Sequence, residues 1–147
     1  MKAAKVKGLD PGMPLGEAAA RIVEVRRGEL RSFAPRALDD DAEALHDLRI
    51  AAKRLRYLLE VMAPALGPEA VTEARHARGL QDLAGEIHDC DVMLPRVLAE
   101  LDALEAAEGP RDPAYRGLAV LAADLRTRRA RLFERFAEVW RGRDGGT

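Results

Sequence analysis

The 147-residue chain has few aromatic residues: one Trp, two Tyr and three Phe. β-Branched residues are also scarce, while Ala and Leu abound. That balance disfavours a sheet and favours helices. Cysteine occurs once, at Cys90, so no disulfide can form within the chain. No apolar run approaches the roughly 20 residues that a membrane span requires. The opening MKAAKVKGLDPGM carries cations but no apolar stretch. It does not read as a secretory signal, and the cytoplasm is the expected location. Glycine-rich phosphate loops, repeats, low-complexity tracts and strand-period segments are missing. Net charge is nearly absent too: the formal value is -1, with a pI of about 6.3. The field of the whole molecule therefore gives no reason to expect attraction to DNA or a membrane. Any anion site must come from local clustering. Lysine appears only at positions 2, 5, 7 and 53, so most cations are Arg, whose planar fork suits phosphate and carboxylate.

What is present is helical periodicity. Residues 1–13 read as a loose, flexible arm broken by Gly8, Pro11 and Gly12. Leu15, Ala18, Ala19, Ile22, Leu30 and Phe33 predict a first helix over 14–34, stopping near Pro35. Asp39, Asp40 and Asp41 are good cap residues for a second helix over 41–63. Pro64, Gly67 and Pro68 separate it from a third over 69–86. Gly85 marks a break, and Asp89 or Asp91 could cap a fourth helix to Ala107, with Pro95 near its start. Gly109, Pro110 and Pro113 form the next joint. A fifth helix over 114–141 carries Leu118, Leu121, Leu125, Leu132, Phe133, Phe136, Val139 and Trp140, and 142–147 reads as a disordered tail. The expectation is one all-α domain over 14–141, an antiparallel bundle of about five helices.

The second helix reads LHDLRIAAKRLRYLLE over 45–60. On a wheel of 100° per residue, Leu48, Ala51, Ala52, Leu55, Leu58, Leu59 and Met62 form its core face. His46, Arg49, Lys53 and Arg56 fall on the other side, within about 80° of one another. Arg54 sits on a flank. The cations repeat about once per turn, roughly 5 Å apart along the axis. Like charges at three- and four-residue spacing repel by a few tenths of a kcal/mol per pair, roughly. Asp47 and Glu60 relieve only part of that repulsion. Two readings stand: an ordinary solvated face, which the spacing alone favours, or a site for a polyanion whose charges lie in a row.

The segment H46-D-L-R49-I-A-A-K53-R54-L-R56 resembles the signature of the CHAD family, the conserved histidine α-helical domain. L80-Q-D-L-A-G85-E-I-H88-D89-C-D91-V92 is similar to that family's Leu–Gly turn followed by an aspartate and an apolar helix, and 15–33 is similar to its opening helix. The resemblance covers about 15–106. It implies a non-catalytic helical module, with no cofactor, that binds inorganic polyphosphate beside polyphosphate-metabolising enzymes or on granules. It also implies that His46, Arg49, Lys53, Arg54 and Arg56 are anion ligands, with Arg78 a further one. Lys53 replaces the family's more usual Arg, and His88 stands where many members carry Arg. Family members usually pair two bundles in one chain around a basic groove. This chain supplies one bundle and an extra helix, so a homodimer is expected to rebuild the groove. Specific nucleic-acid binding is not expected. An alternating Glu-x-Glu-x-Lys strand, which a triphosphatase partner domain would bring, is missing.

Other features keep other readings open. Arg129 falls among Leu125, Leu132, Phe136 and Val139. An Arg on an apolar stripe lies at an edge, pairs with a carboxylate, or lines an internal channel. In the last case it would join the anion site. Glu100, Asp102, Glu105 and Glu108 make the fourth helix acidic. The run His88-Asp89-Cys90-Asp91, with His46-Asp47 and Asp124, faintly resembles the HD phosphohydrolases, in which a metal activates water against phosphate. The spacing is irregular for a metal, so no metal site and no catalytic residue are assigned. A helical scaffold without an anion ligand is the third reading.

Overall fold

The computed structural model describes residues 1–107 and 112–144. They contain four helices and no strand: α1 (Leu15–Leu38), α2 (Ala42–Leu66), α3 (Pro68–Ala107) and α4 (Pro113–Asp144). The all-α class is as expected, but the count is four rather than about five. The third and fourth predicted helices are one continuous α3, with Gly85, Asp89, Asp91 and Pro95 inside it. A helical proline costs about 3 kcal/mol and a helical glycine about 1. Burial of Ala84, Ile87, Cys90 and Val97 on one face of α3 outweighs those costs. The chain divides into two compact units, Met1–Ala84 and Gly85–Thr147, so the boundary falls at the predicted break although the helix does not stop there. Gly109 and Pro110 of the predicted joint, and 145–147 of the predicted tail, lie outside the described residues.

In the first unit α1 and α2 form an antiparallel hairpin. Asp39–Asp41 join them, and at the open end a Cβ on Gly16 would come 3.3 Å from the Ala65 carbonyl oxygen. Asp41 is the N-cap, its carboxylate accepting from the Ala44 N–H at 3.0 Å. That bond, followed by the bonds from Arg36, holds the Asp41 carboxyl below the usual carboxylate range. Asp40 takes the left-handed conformation at φ 62° that turns the chain. Pro35 and Pro64 do not end their helices as expected; both sit in a last turn. Ala34 and Ala37 are buried on either side of Pro35, so packing carries α1 past it. α2 ends at Gly67, which has φ 94°. Leu30, Leu45, Leu48, Leu55, Leu59 and Leu80 fill the core of this unit. The Arg27 fork grips Glu73, with Nε 2.6 Å from Oε1 and Nη2 2.5 Å from Oε2, and ties α1 to the start of α3. These bonds raise the Arg27 pKa further.

Residues 1–13 are not helical, but the structure places them by polar contacts. Ala4 N–H donates to the Glu29 carboxylate, and Arg26 Nη1 donates to the Ala4 carbonyl at 3.0 Å. Arg21 Nη1 donates to the Gly8 carbonyl at 3.1 Å.

In the second unit, α3 from Gly85 packs against α4. Ile87, Cys90 and Val97 are buried on one side, and Ala122, Phe136, Ala137 and Trp140 on the other. Arg129 Nε donates to Asp91 Oδ1 at 2.6 Å, and Arg128 Nη2 lies 3.4 Å from Glu86 Oε2. Among the described residues no helix is long and apolar enough to cross a membrane.

Candidate functional site

Of the seven residues the wheel puts on the core face of α2, five are buried, and Leu58 and Met62 are half-buried. Leu48, Ala51, Ala52, Leu55 and Leu59 are at most 1% exposed. Burial of this face fixes the rotation of the helix, and so fixes where the cations point. Lys53 is exposed, and His46, Arg49, Arg54 and Arg56 are half-buried. The stripe thus runs along the shoulder of the core, where aliphatic stems can pack and charged heads reach outward.

All five arginines of α1 lie within 4 Å of a carboxylate. Among the described residues, Arg49 and Lys53 have none, and neither makes a side-chain hydrogen bond. Arg54 Nη2 donates to a neutral acceptor, the Met1 carbonyl, at 2.7 Å. Its Nη1 is buried without an acceptor. Arg56 Nε lies 3.4 Å from Glu60 Oε1, close enough for attraction, but it is misaligned and is also left without a hydrogen bond. The Arg56 guanidinium lies 4.4 Å from the centre of the Tyr57 ring. That is the geometry of a cation–π contact, which orients the group without neutralising it. A buried donor left unsatisfied costs about 1–3 kcal/mol, so this face is energetically incomplete as it stands.

Arg78 projects from α3 in the same compact unit. It is two-thirds exposed, with Asp82 at 3.9 Å as a loose partner. Between α2 and α3 lies a hollow of about 240 Å³, lined by Glu60, Ala63, Val71, Ala74, Arg75 and Arg78. Glu60 joins it to Arg56, so the fold brings the C-terminal end of the α2 stripe and Arg78 to one hollow. Arg75 was not among the sequence candidates. Its signal was its place one turn before Arg78, and the structure leaves it exposed. The arm is the other feature that sequence reasoning did not connect to this face.

His88 and Arg129 belong to the second unit. His88 is half-buried on α3. Arg129 takes the carboxylate-paired option: Nε and Nη2 lie 2.6 and 3.4 Å from the two Asp91 oxygens. This commits much of its fork to Asp91. Burial pushes the Cys90 thiol above its ordinary pKa, which disfavours the thiolate that binds metal or attacks substrate. Among the described residues no three His, Cys, Asp or Glu side chains converge as a metal would require. A hollow of about 490 Å³ is lined by α4 alone, including Leu125, Arg128 and Arg131, and by none of the α2 cations. Volume alone therefore does not locate the chemistry.

A model of the CHAD domain matches residues 2–98 of the chain. No curated protein and no solved structure gives a significant match.

Proposed function

The chain belongs to the CHAD domain family, a family associated with polyphosphate binding, and from that premise we propose that it binds inorganic polyphosphate without catalysing its turnover. The ligands are His46, Arg49, Lys53, Arg54 and Arg56 along α2, with Arg78 and Arg75 at the hollow beside α3. One observation carries the reading: Arg49 and Lys53 have no carboxylate partner among the described residues, and Arg54 and Arg56 each hold a buried N–H without an acceptor. Phosphate oxygens supply acceptors to Arg49 and Lys53, and to the Arg54 and Arg56 donors once those side chains turn outward; charge-assisted bonds of this kind are about twice as strong as neutral ones. Polyphosphate presents its charges in a row, as the stripe does. DNA gains less, because contacts to its phosphates carry no sequence information and the whole chain is almost uncharged.

The protein works in the cytoplasm, beside polyphosphate-metabolising enzymes or on granules. Two copies pair, so that two α2 stripes face one chain of phosphates. Light scattering at micromolar concentration, giving the mass of a single chain, would remove the pairing. The central test is a titration with long-chain inorganic polyphosphate, with duplex DNA and a metal chelator as controls. Binding that is unaffected by chelator, with no phosphate released, is expected. Chelator-sensitive phosphate release would favour a phosphohydrolase of the HD type. No binding would leave a scaffold.

A further inference from the structure

Three of the chain's four lysines, Lys2, Lys5 and Lys7, lie in the first seven residues. All three are exposed, while Ala3 and Val6 are half-buried. Among the described residues none of the three lysines has a carboxylate partner. The arm is therefore two-sided: small apolar residues turn inward and cations turn out. Its backbone is clipped to α1 at two places, by Arg26 and Glu29 on Ala4 and by Arg21 on Gly8. Its first residue reaches α2, where the Met1 carbonyl accepts from Arg54. Lys2 follows that carbonyl directly in the chain. The fold thus brings Lys2 beside α2 at Arg54, while Lys5 and Lys7 follow along the part of the arm that is clipped to α1.

Like charges gathered in this way repel unless an anion sits among them. The contact that brings the arm to α2 is a single hydrogen bond from Arg54 to a neutral carbonyl, while the other half of the Arg54 fork has no acceptor. We infer that the arm is a clamp for the polyanion: phosphates bound along α2 also take Lys2, and then Lys5 and Lys7, so that ligand and arm hold each other. This inference rests on the polyphosphate reading and adds a second set of ligands to it. Gly8 is the device that places the arm. It has φ 78°, a conformation that L side chains rarely adopt, and a Cβ there would come 2.7 Å from Arg21 Nη1.

The test compares four full-length proteins in titrations with long-chain inorganic polyphosphate at two salt concentrations. The wild type is the reference. Lys2→Gln/Lys5→Gln/Lys7→Gln removes the arm's charge. Arg116→Gln/Arg126→Gln/Arg141→Gln removes the same charge from exposed positions of the second unit. Gly8→Ala changes no charge but strains the placement of the arm. The lysine variant is expected to bind about tenfold more weakly, with a shallower salt dependence because fewer counterions are released. Gly8→Ala is expected to lose about threefold, and the second-unit variant to stay within twofold of wild type. Hydrogen exchange of residues 2–8 should slow when polyphosphate is added. Wild-type binding with no loss in the lysine variant, or tighter binding in it, overturns the clamp and leaves the polyphosphate reading intact. Equal losses in the lysine and second-unit variants also overturn it, by showing that only net charge matters. No binding by the wild type overturns both.

Discussion

Arginine does two different jobs in this fold, and both occur in each compact unit: all five arginines of α1 lie beside carboxylates, and those of α2 largely do not. In the second unit, Arg129 closes its fork on Asp91 and Arg128 lies near Glu86. Each links α3 to α4, whereas Arg126, Arg131 and Arg135 of α4 have no carboxylate partner among the described residues. In the first, Arg27 does the same for α1 and α3 through Glu73, but the α2 face does not follow that pattern. Among the described residues Arg49 and Lys53 stand without carboxylates, and Arg54 and Arg56 keep donors with nothing to accept from them. The chain holds 24 Lys and Arg against 25 Asp and Glu, so acids were available in number. Their distribution leaves Arg49 and Lys53 without one, while Glu60 on the same face lies 3.4 Å from Arg56. A matched guanidinium works as a structural tie, and an unmatched one is available to a ligand.

The contrast is best broken by changing one population at a time. The largest effect is expected from Arg49→Ala with Arg56→Ala: about a 100-fold loss of polyphosphate affinity by titration, since a bond to a charged group contributes roughly 1.5–3 kcal/mol. The thermal midpoint should hardly fall, or should rise, because repulsion along α2 is relieved. Arg129→Ala should do the reverse. It leaves Asp91 partly buried without its main cation, which costs about 1–2 kcal/mol after allowing for its partial exposure. Calorimetry should show a midpoint lower by several degrees, with affinity within threefold of wild type. If Arg129→Ala abolishes binding without destabilising the fold, the division of labour is wrong. Raising salt from about 50 to 200 mM should weaken binding by more than tenfold, with little effect on the melt. The smallest binding change is expected from Lys53→Arg, a gain of no more than about threefold, because a fork replaces a point charge.

A pH series separates the tie formed by Asp41 from the ligand face. The folded Asp41 carboxyl titrates below the range of an unfolded one, because it accepts from Ala44 and Arg36. Its contribution to stability is complete above the unfolded value, near 4. It is lost as pH falls through the lower folded value. Asp41→Asn keeps a cap but removes the charge, so its melting midpoint should fall less than wild type's between pH 6 and pH 3.

The α2 face and its cap were legible in the sequence because both depend on local rules. The apolar period fixed which side Leu48, Ala52 and Leu55 would bury, and an aspartate before the first turn fixed the start. The helix ends were less legible. Pro35, Pro64 and Gly85 read as stops, since a missing N–H or Cβ weakens a helix locally. Tertiary burial on both sides of Pro35 and Gly85 overrode that cost. The arm was not legible for a different reason. Backbone oxygens of Met1, Ala4 and Gly8 accept from arginines well over ten residues away, and a carbonyl carries no sequence signature. Arg129 left three options that periodicity could not separate, and only the position of Asp91 on the facing helix decided among them.

α2 runs unbroken from Ala42 to Leu66, so its cationic positions recur as rungs of one rigid ladder. A polymer longer than such a ladder fits it in many equivalent registers, and a short oligomer in very few. Once every rung is occupied, each added phosphate still multiplies the ways to sit. Affinity per molecule would then keep climbing with chain length after the contact area has stopped growing, and the bound thread could creep along the helix without ever letting go.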